Sequence, residues 1–458
     1  MRSLLLRLTI AALPLLAGCA HQIEVPEPVP GIEIPADWSL PATQHEQDEQ
    51  GWSDSNWWQQ FGSDELTQLV EQGQTSNLDI AVAISRVRQA EAKARIAGAP
   101  LLPNADFSAS ANRALPGSGS GSNTINTTLE IGYEIDFWGK NKAGLVAAQA
   151  ALQANRYDSQ TVALTVTSGI VSTYLQVLSL RDQIHIARQN ATNAQRVLNL
   201  VDAQNRAGAA SSLDLARQRS VLAGQKAVIP DLLQQEREAL AALAILLGRP
   251  VHTVKVTESG LSHINLPEVV PGMPSSILAR RPDIRRAEAR LAQANANIAQ
   301  ARAALFPAIR LTGSVGAESN SVLSLLNGSN LLVNLGAGLL APIFDAGRLD
   351  NQRAISIAEK QELVQVYRAV VITALSEVES ALGQIRSLDA QWRFKTTEME
   401  QARHAFELSE IRYRVGSEYL MTVLDTQRTL SGAQNELGQI KLKRLQATVS
   451  LYKALGSL

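Results

Sequence analysis

Residues 411–425 read IRYRVGSEYLMTVLD, and 208 positions earlier residues 203–217 read AQNRAGAASSLDLAR. The match is loose over the stretch itself, but its register runs without a gap from 203 against 411 to 248 against 456. Arg206 meets Arg414, Gly208 meets Gly416, and Leu222, Gly224, Leu243, Leu247 and Gly248 recur as Leu430, Gly432, Leu451, Leu455 and Gly456. A second block repeats with an offset of 204. Residues 79–103, DIAVAISRVRQAEAKARIAGAPLLP, align with 283–307, DIRRAEARLAQANANIAQARAALFP, from the shared Asp-Ile start to Pro103 and Pro307. Self-similarity at a fixed period marks a chain built twice. The change of offset places four extra residues after Pro307.

Between these blocks the period changes to two, the signature of strands with two different faces. Along NADFSASAN (104–112), Phe107, Ala109 and Ala111 alternate with Asp106, Ser108, Ser110 and Asn112. A loop rich in Gly and Ser follows, from Arg113 to about Asn126. TLEIGYEIDF (128–137) then sets Leu129, Ile131, Tyr133, Ile135 and Phe137 against Glu130, Glu134 and Asp136. The second half does the same, with Ile309, Leu311 and Val315 and then Leu331, Val333, Leu335, Ala337 and Leu339. Strands of ~9–11 residues with one apolar and one polar face suit an outer-membrane barrel. Four strands cannot close one, since the smallest single-chain barrels have about eight. Several copies must contribute, and three would give twelve strands, although two or four would also give an even number.

Gly139 and Gly347 follow the second strand of each half and let the chain turn from strand to helix. The helix beyond Gly139 has no proline from about Asn141 to Ala203, roughly 95 Å at the usual rise. Its seam advances in steps of three and four through Ala163, Val166, Ile170, Thr173, Val177, Leu180, Ile184, Ala187, Ala191, Ala194, Leu198 and Val201. Val364, Tyr367, Val371, Ala374, Val378, Ala381, Ile385 and Leu388 repeat this in the second half, predicting coiled-coil packing. Gly208 and Gly416 suit the left-handed residue that ends a helix, so each long helix turns there and returns. Near the N-terminus Trp52, Trp57, Trp58 and Phe61 are expected to pack on these helices, with Ser63 or Asp64 capping a short helix.

The balance of 42 basic against 43 acidic residues gives no electrostatic case for nucleic acid. Arg2 and Arg7 flank an apolar run, Leu8–Ala17, too short to span a bilayer, which reads as a signal-peptide core. It ends Leu16-Ala17-Gly18-Cys19, an arrangement resembling a bacterial lipobox, with Cys19 the expected site of lipidation by diacylglyceryl and palmitate groups. Cys19 is the one cysteine of the chain, which excludes intrachain disulfides. Ala20 rather than Asp follows it, pointing to the outer membrane. Pro-rich sequence from there to about Pro41 favours an extended tether. The six histidines show no metal-ligand spacing, and neither a phosphate-binding loop nor a nucleophile elbow is present, so no enzyme activity, cofactor or metal is expected.

The lipobox, WWQQFGSDEL from Trp57, APIFDAGR from Ala341, YRVG from Tyr413 and LYKALG from Leu451 together resemble the TolC-like outer membrane factor family, its lipidated OprM and NodT branch most of all. The resemblance covers essentially the whole mature chain. It implies an α+β membrane protein: a homotrimer whose twelve-stranded transmembrane β-barrel, four strands per chain, joins a long α-helical coiled-coil barrel in the periplasm. It also implies docking to a periplasmic adaptor and an inner-membrane pump, usually of the proton-driven resistance-nodulation-division type, and hence efflux and antibiotic resistance.

On this reading residues 1–18 are the signal peptide, 19–75 the lipidated tether and equatorial segment, and 76–265 and 266–458 the two repeats. The family closes its tunnel at the helix turns. The matching stretch here gives Arg412, Tyr413, Glu418, Met421 and Asp425 as gate candidates, with Asp214 and Arg217 near the first turn. Arg412, Tyr413 and Asp425 are expected to hold the closed state and Met421 to narrow the bore. The family's salt-bridge arrangement does not transfer whole, because the positions after the second-turn glycine read Glu418, Thr422 and Asp425. Two other functions stay open: a duct for type I protein secretion, and a periplasmic coiled-coil scaffold lipoprotein with no pore.

Overall fold

Ser63, following a 3-10 helix at Trp57–Phe61, caps helix α1 (Asp64–Ser76). Its side-chain oxygen accepts from the N–H of Leu66 at 3.1 Å, and Asp64 and Glu65 occupy the first turn, where the helix dipole favours acids. Asn77 ends α1 and begins α2 (Leu78–Gly98), accepting at Oδ1 from the N–H groups of Asp79 and Ile80. Strands β1 (Asn104–Ala114) and β2 (Ser122–Ile135) follow, then the 67-residue helix α3 (Lys140–Arg206) and its return, α4 (Ser212–Leu246). The second half repeats the order with α5 (Pro274–Arg280), α6 (Pro282–Ala303), β3 (Ala308–Ser319), β4 (Leu331–Leu340), the 67-residue α7 (Arg348–Arg414) and α8 (Leu420–Leu455). The structure is a computed structural model that describes residues 34–39, 56–115, 117, 121–267, 269, 273–321 and 330–457. Cys19, Trp52, the Pro-rich tether and most of the Gly-Ser run lie outside the described residues.

Packing divides the chain into two units. One contains Val87–Asn155 and Arg286–Arg368, and with them the strands, which form one antiparallel sheet in the order β1-β2-β3-β4. Its register sets Asp106 opposite Glu130, Glu130 opposite Ser314 and Ser314 opposite Asn334, while the adjacent row runs Phe107, Leu129, Val315, Val333. Because side chains alternate along a strand, Asp106, Glu130, Glu134 and Glu318 all share one face, and the large apolar residues other than Leu332 and Leu340 share the opposite one. That apolar face is exposed at Phe107, Leu129, Val315, Val333, Leu335 and Leu339. Among the described residues, β1 and β4 each have one edge without a strand partner. At the strand-to-helix junctions Asp136 accepts from the N–H groups of Asn141 and Lys142, and Asp345 from those of Gly347 and Leu349. Gly139 and Gly347 take φ of 75° and 80° there. Trp138 stacks on Phe306 with centroids 4.7 Å apart and donates to the carbonyl of Pro307 at 2.8 Å.

The other unit contains Glu33–Arg86, Arg156–Arg285 and Ala369–Leu458. Its largest core gathers Trp57, Phe61, Leu66 and Val70 against Ile170, Tyr174 and Leu178 of α3, Leu243 and Leu247, and Leu445, Val449 and Tyr452 of α8. Trp57 is fully buried and stacks on Tyr452 at 4.9 Å. The expected seam is buried at Val166, Ile170, Val177, Leu180, Ile184, Ala187, Ala191, Ala194 and Val201, and in α7 at Tyr367, Val371, Ala374, Val378, Ala381 and Leu388, whereas its members Ala163, Thr173, Leu198, Val364 and Ile385 are half-buried. Smaller clusters continue along the helices, around Leu180, Ile184 and Leu232, around Leu388 and Ile440, and around Val423 and Phe406.

Two strand limits differ from those the alternation suggests. β2 begins at Ser122 rather than near residue 127, because backbone pairing from Ala111 with Ile125 to Ala114 with Ser122 extends the ladder where the side chains no longer alternate. β2 also ends at Ile135 rather than 137, since Asp136 is taken up in capping α3.

Candidate functional site

Both long helices end in the same way. Ala209 N–H bonds the carbonyl of Gln204 at 2.8 Å and Gly208 N–H that of Asn205 at 3.0 Å; in the second half Ser417 bonds Arg412 at 2.9 Å and Gly416 bonds Tyr413 at 3.1 Å. This double bond pattern requires a left-handed residue, and Gly208 and Gly416 have φ of 74° and 76°.

The starts of the return helices differ. Ser211 and Asp214 form a capping box on α4, with Ser211 Oγ accepting from Asp214 N–H at 3.1 Å and Asp214 Oδ2 accepting from Ser211 N–H at 3.2 Å. The corresponding positions of the second turn are Tyr419 and Thr422. There the carboxylate moves to Glu418, which accepts from Tyr419 N–H at 3.1 Å and from Thr422 Oγ1 at 3.0 Å. Those two bonds, and then the nearby charge of Arg412, hold the Glu418 carboxyl below its ordinary value.

The two turns also touch each other. Tyr413 is buried with Phe406, Leu420 and Val423, and its phenol is pushed up first by burial and then by the charge of Asp214. Arg217 sets Nη1 3.3 Å from Met421 Sδ and 4.0 Å from Asp214. Asp425 does not reach Arg217, its counterpart in the repeat. It pairs instead with Arg428, one turn along α8, at 2.7 Å, and both side chains are well exposed. Arg412 is exposed beside Glu418.

One member of this constellation escapes a reading by motif. Glu410 is buried, and its carboxylate accepts from Arg196 of α3 through Nε at 3.0 Å and Nη2 at 2.9 Å, and from Arg414 at 3.1 Å. It thus clamps α7 to α3. Its signal in the sequence is a charge inside the buried series Phe406, Glu410, Tyr413, at spacings of four and three. Among the described residues no group of three or more His, Cys, Asp or Glu side chains is disposed to hold a metal ion.

A sheet with one continuous exposed apolar face, in a chain that also folds two long helical hairpins with matched turns, defines a channel protein of the outer-membrane class. The chain belongs to the outer membrane efflux protein family, whose model matches residues 69–249 and 273–457, one match for each half. It is 43% identical to the pyoverdine export outer membrane protein OpmQ of Pseudomonas aeruginosa, over 98% of this chain and 95% of that protein. It is 28% identical to the cation efflux system protein CusC of Escherichia coli, over 96% of each. The crystal structure of the Campylobacter jejuni CmeC outer membrane channel superposes with a TM-score of 0.88 at 26% identity, over 94% of each chain. The internally repeated α+β fold read from the sequence is the fold found, and the protein is an outer-membrane efflux channel.

Proposed function

We propose that three copies of this chain close a twelve-stranded barrel in the outer membrane and form the passive exit duct of an efflux system, with no chemistry of its own. The observation that carries this reading is the sheet: one face dominated by large apolar side chains from Phe107 to Leu339, one face bearing every acid of the four strands, and two edges open for pairing with further copies. Three chains of four strands give an even-numbered barrel with room for a wet lumen. Energy then comes from partners, a periplasmic adaptor and an inner-membrane pump of the resistance-nodulation-division type. Anchoring through lipid on Cys19 holds the mature chain, from residue 19 onward, at the membrane, with repeats at 76–265 and 266–458.

The resting gate is formed by Arg412, Tyr413, Glu418, Met421 and Asp425 with Asp214 and Arg217. Supporting this are the approach of Tyr413 to Asp214 and of Arg217 to Met421. The cargo class follows the 43% identical relative named for pyoverdine export, so a secreted siderophore is the first substrate to test. The purified protein is expected to migrate as a cross-linkable trimer and to conduct in planar bilayers, and a strain lacking it to retain siderophore that the complemented strain exports. A monomer without conductance overturns the duct. Normal export under a protonophore overturns the proton-driven pump alone, and mass spectrometry of an unmodified N-terminus overturns the lipid anchor.

A further inference from the structure

The two return helices are weakened at the same height. In α4, Gly224 and Pro230 stand six residues apart, and in α8, Gly432 and Gly438 stand at the positions 208 residues later. Glycine and proline are the poorest helix formers, and Pro230 also removes a backbone donor and crowds the carbonyl of Lys226. A glycine inside a helix is ordinarily explained by close packing or by a positive φ. Neither applies at Gly224, Gly432 or Gly438: none has a positive φ, and a Cβ added to any of them would meet nothing within 4 Å.

The core is interrupted at that same height. Along α4 no residue between Leu222 and Leu232 is buried, and along α8 none between Ala433 and Ile440. Leu222 and Leu232 correspond to Leu430 and Ile440, and the gap of α8, 434–439, is shorter and lies within the counterpart of the gap of α4. On the turn side of the gap Val423, Leu430 and Ala433 pack with Phe406 and Tyr413. On the other side Leu232 packs with Leu180 and Ile184, and Ile440 with Leu388. Within the gap of α8 the side-chain oxygen of Gln434 is buried without a hydrogen-bond partner.

We propose that residues 223–231 and 434–439 are paired hinges, about which the turn-bearing ends of the two helical hairpins move as units while the packed helices beyond them hold still. A helix with a continuous buried stripe resists bending along its length. One that loses its buried stripe over the same few residues that hold a glycine or a proline opens and bends there. What the motion accomplishes, opening the passage at the turns, rests on the duct reading above, whereas the hinge itself does not.

Hydrogen exchange with mass spectrometry on the purified full-length protein tests the hinge directly. Amides of 223–231 and 434–439 are expected to exchange about tenfold faster than those of 213–222 and 441–450. The variant Gly224→Ala, Pro230→Ala, Gly432→Ala, Gly438→Ala is expected to slow them to the flanking rate and to reduce the conducting fraction in planar bilayers several-fold. If that variant fails to fold, Gly432→Ala with Gly438→Ala leaves Pro230 in place and tests α8 alone. Uniform exchange along the wild-type helices overturns the hinge. So does loss of assembly in the alanine variants, which would assign the glycines to packing between copies. A wild-type protein with the exchange contrast and no current counts against the duct and leaves the hinge standing.

Discussion

Arg281 donates from Nη1 to the backbone carbonyl of Ala454 at 2.9 Å, tying the start of the second half to the end of its own return helix. Asn77, its counterpart under the 204-residue offset, donates to the carbonyl of Leu246, the counterpart of Ala454 under the 208-residue offset, at 2.7 Å. The last carbonyls of a helix lack intrahelical partners, so each half closes on itself by satisfying one of them. The residue types differ. Asn77 does this as a neutral amide, while Arg281 brings a buried charge that Asp283 and Glu377 balance at 2.7 Å each.

Replacing Arg281 with Met is therefore expected to cost about 3 kcal/mol, because Asp283 is left partly buried without its cation. Burial alone would raise the Asp283 carboxyl, but the hydrogen bond and charge of Arg281 more than reverse this, and the net shift is downward. A carboxyl lowered in the folded state contributes stability that is complete above the ordinary aspartate value, about 4, and lost as pH falls below it. Thermal unfolding of Arg281→Met should show both the lower midpoint and a shallower decline on acidification. An unchanged acid slope would separate Asp283 from this role.

Glu410→Gln leaves the shape of the clamp to Arg196 and Arg414 but removes the charge. Both arginines are more than half exposed, so solvent screens much of the interaction, and the loss should be about 1 kcal/mol. Because the clamp joins α7 to α3 beside the turns, the conducting fraction in planar bilayers is expected to rise. A conducting fraction equal to wild type would mean that the clamp supports the fold without restraining the turns.

Asp425→Ala removes an exposed pair with Arg428 one turn away, which is worth at most ~0.5 kcal/mol. Thermal stability should therefore hardly change. If Asp425 belongs to the resting gate, its loss shows instead as higher single-channel conductance and greater vancomycin entry into cells. Wild-type values for both would remove it from the gate.

Ala346 has φ of 56°, the one left-handed non-glycine residue among those described, and it immediately precedes Gly347. An alanine there is disfavoured by roughly 1 kcal/mol, which glycine avoids. Ala346→Gly should therefore raise the unfolding midpoint by about one degree without altering conductance. A lower midpoint would mean that the added freedom of the unfolded chain outweighs the relieved strain.

Much of the fold was legible because it is written in short-range periods. Alternation at 104–112 and 128–135 specifies strands with one apolar face, and the steps of three and four from Val166 to Val201 specify a seam. Ser63 can be read as a cap from its place before Asp64 and Glu65. Legibility failed where a residue answers to something distant. Ser122–Asn126 joins β2 because Ala111–Ala114 offers it a ladder, not because its side chains alternate. Asp136 sits in phase with the strand and is nonetheless drawn into the helix start.

At the turns the division is sharper. The sequence by itself determined that there are two of them, that a glycine ends each long helix, and that the copies differ at Ala210 against Glu418 and Arg217 against Asp425. These are consequences of local backbone preference and of comparing the chain with itself. Only the tertiary structure decided the partners: Glu410 with Arg196, Arg217 beside Met421, Tyr413 near Asp214, and Asp425 with Arg428 rather than with the first turn. Three of these four pairs join residues about two hundred positions apart. The distance between such residues depends on how whole helices pack, and no local period encodes it.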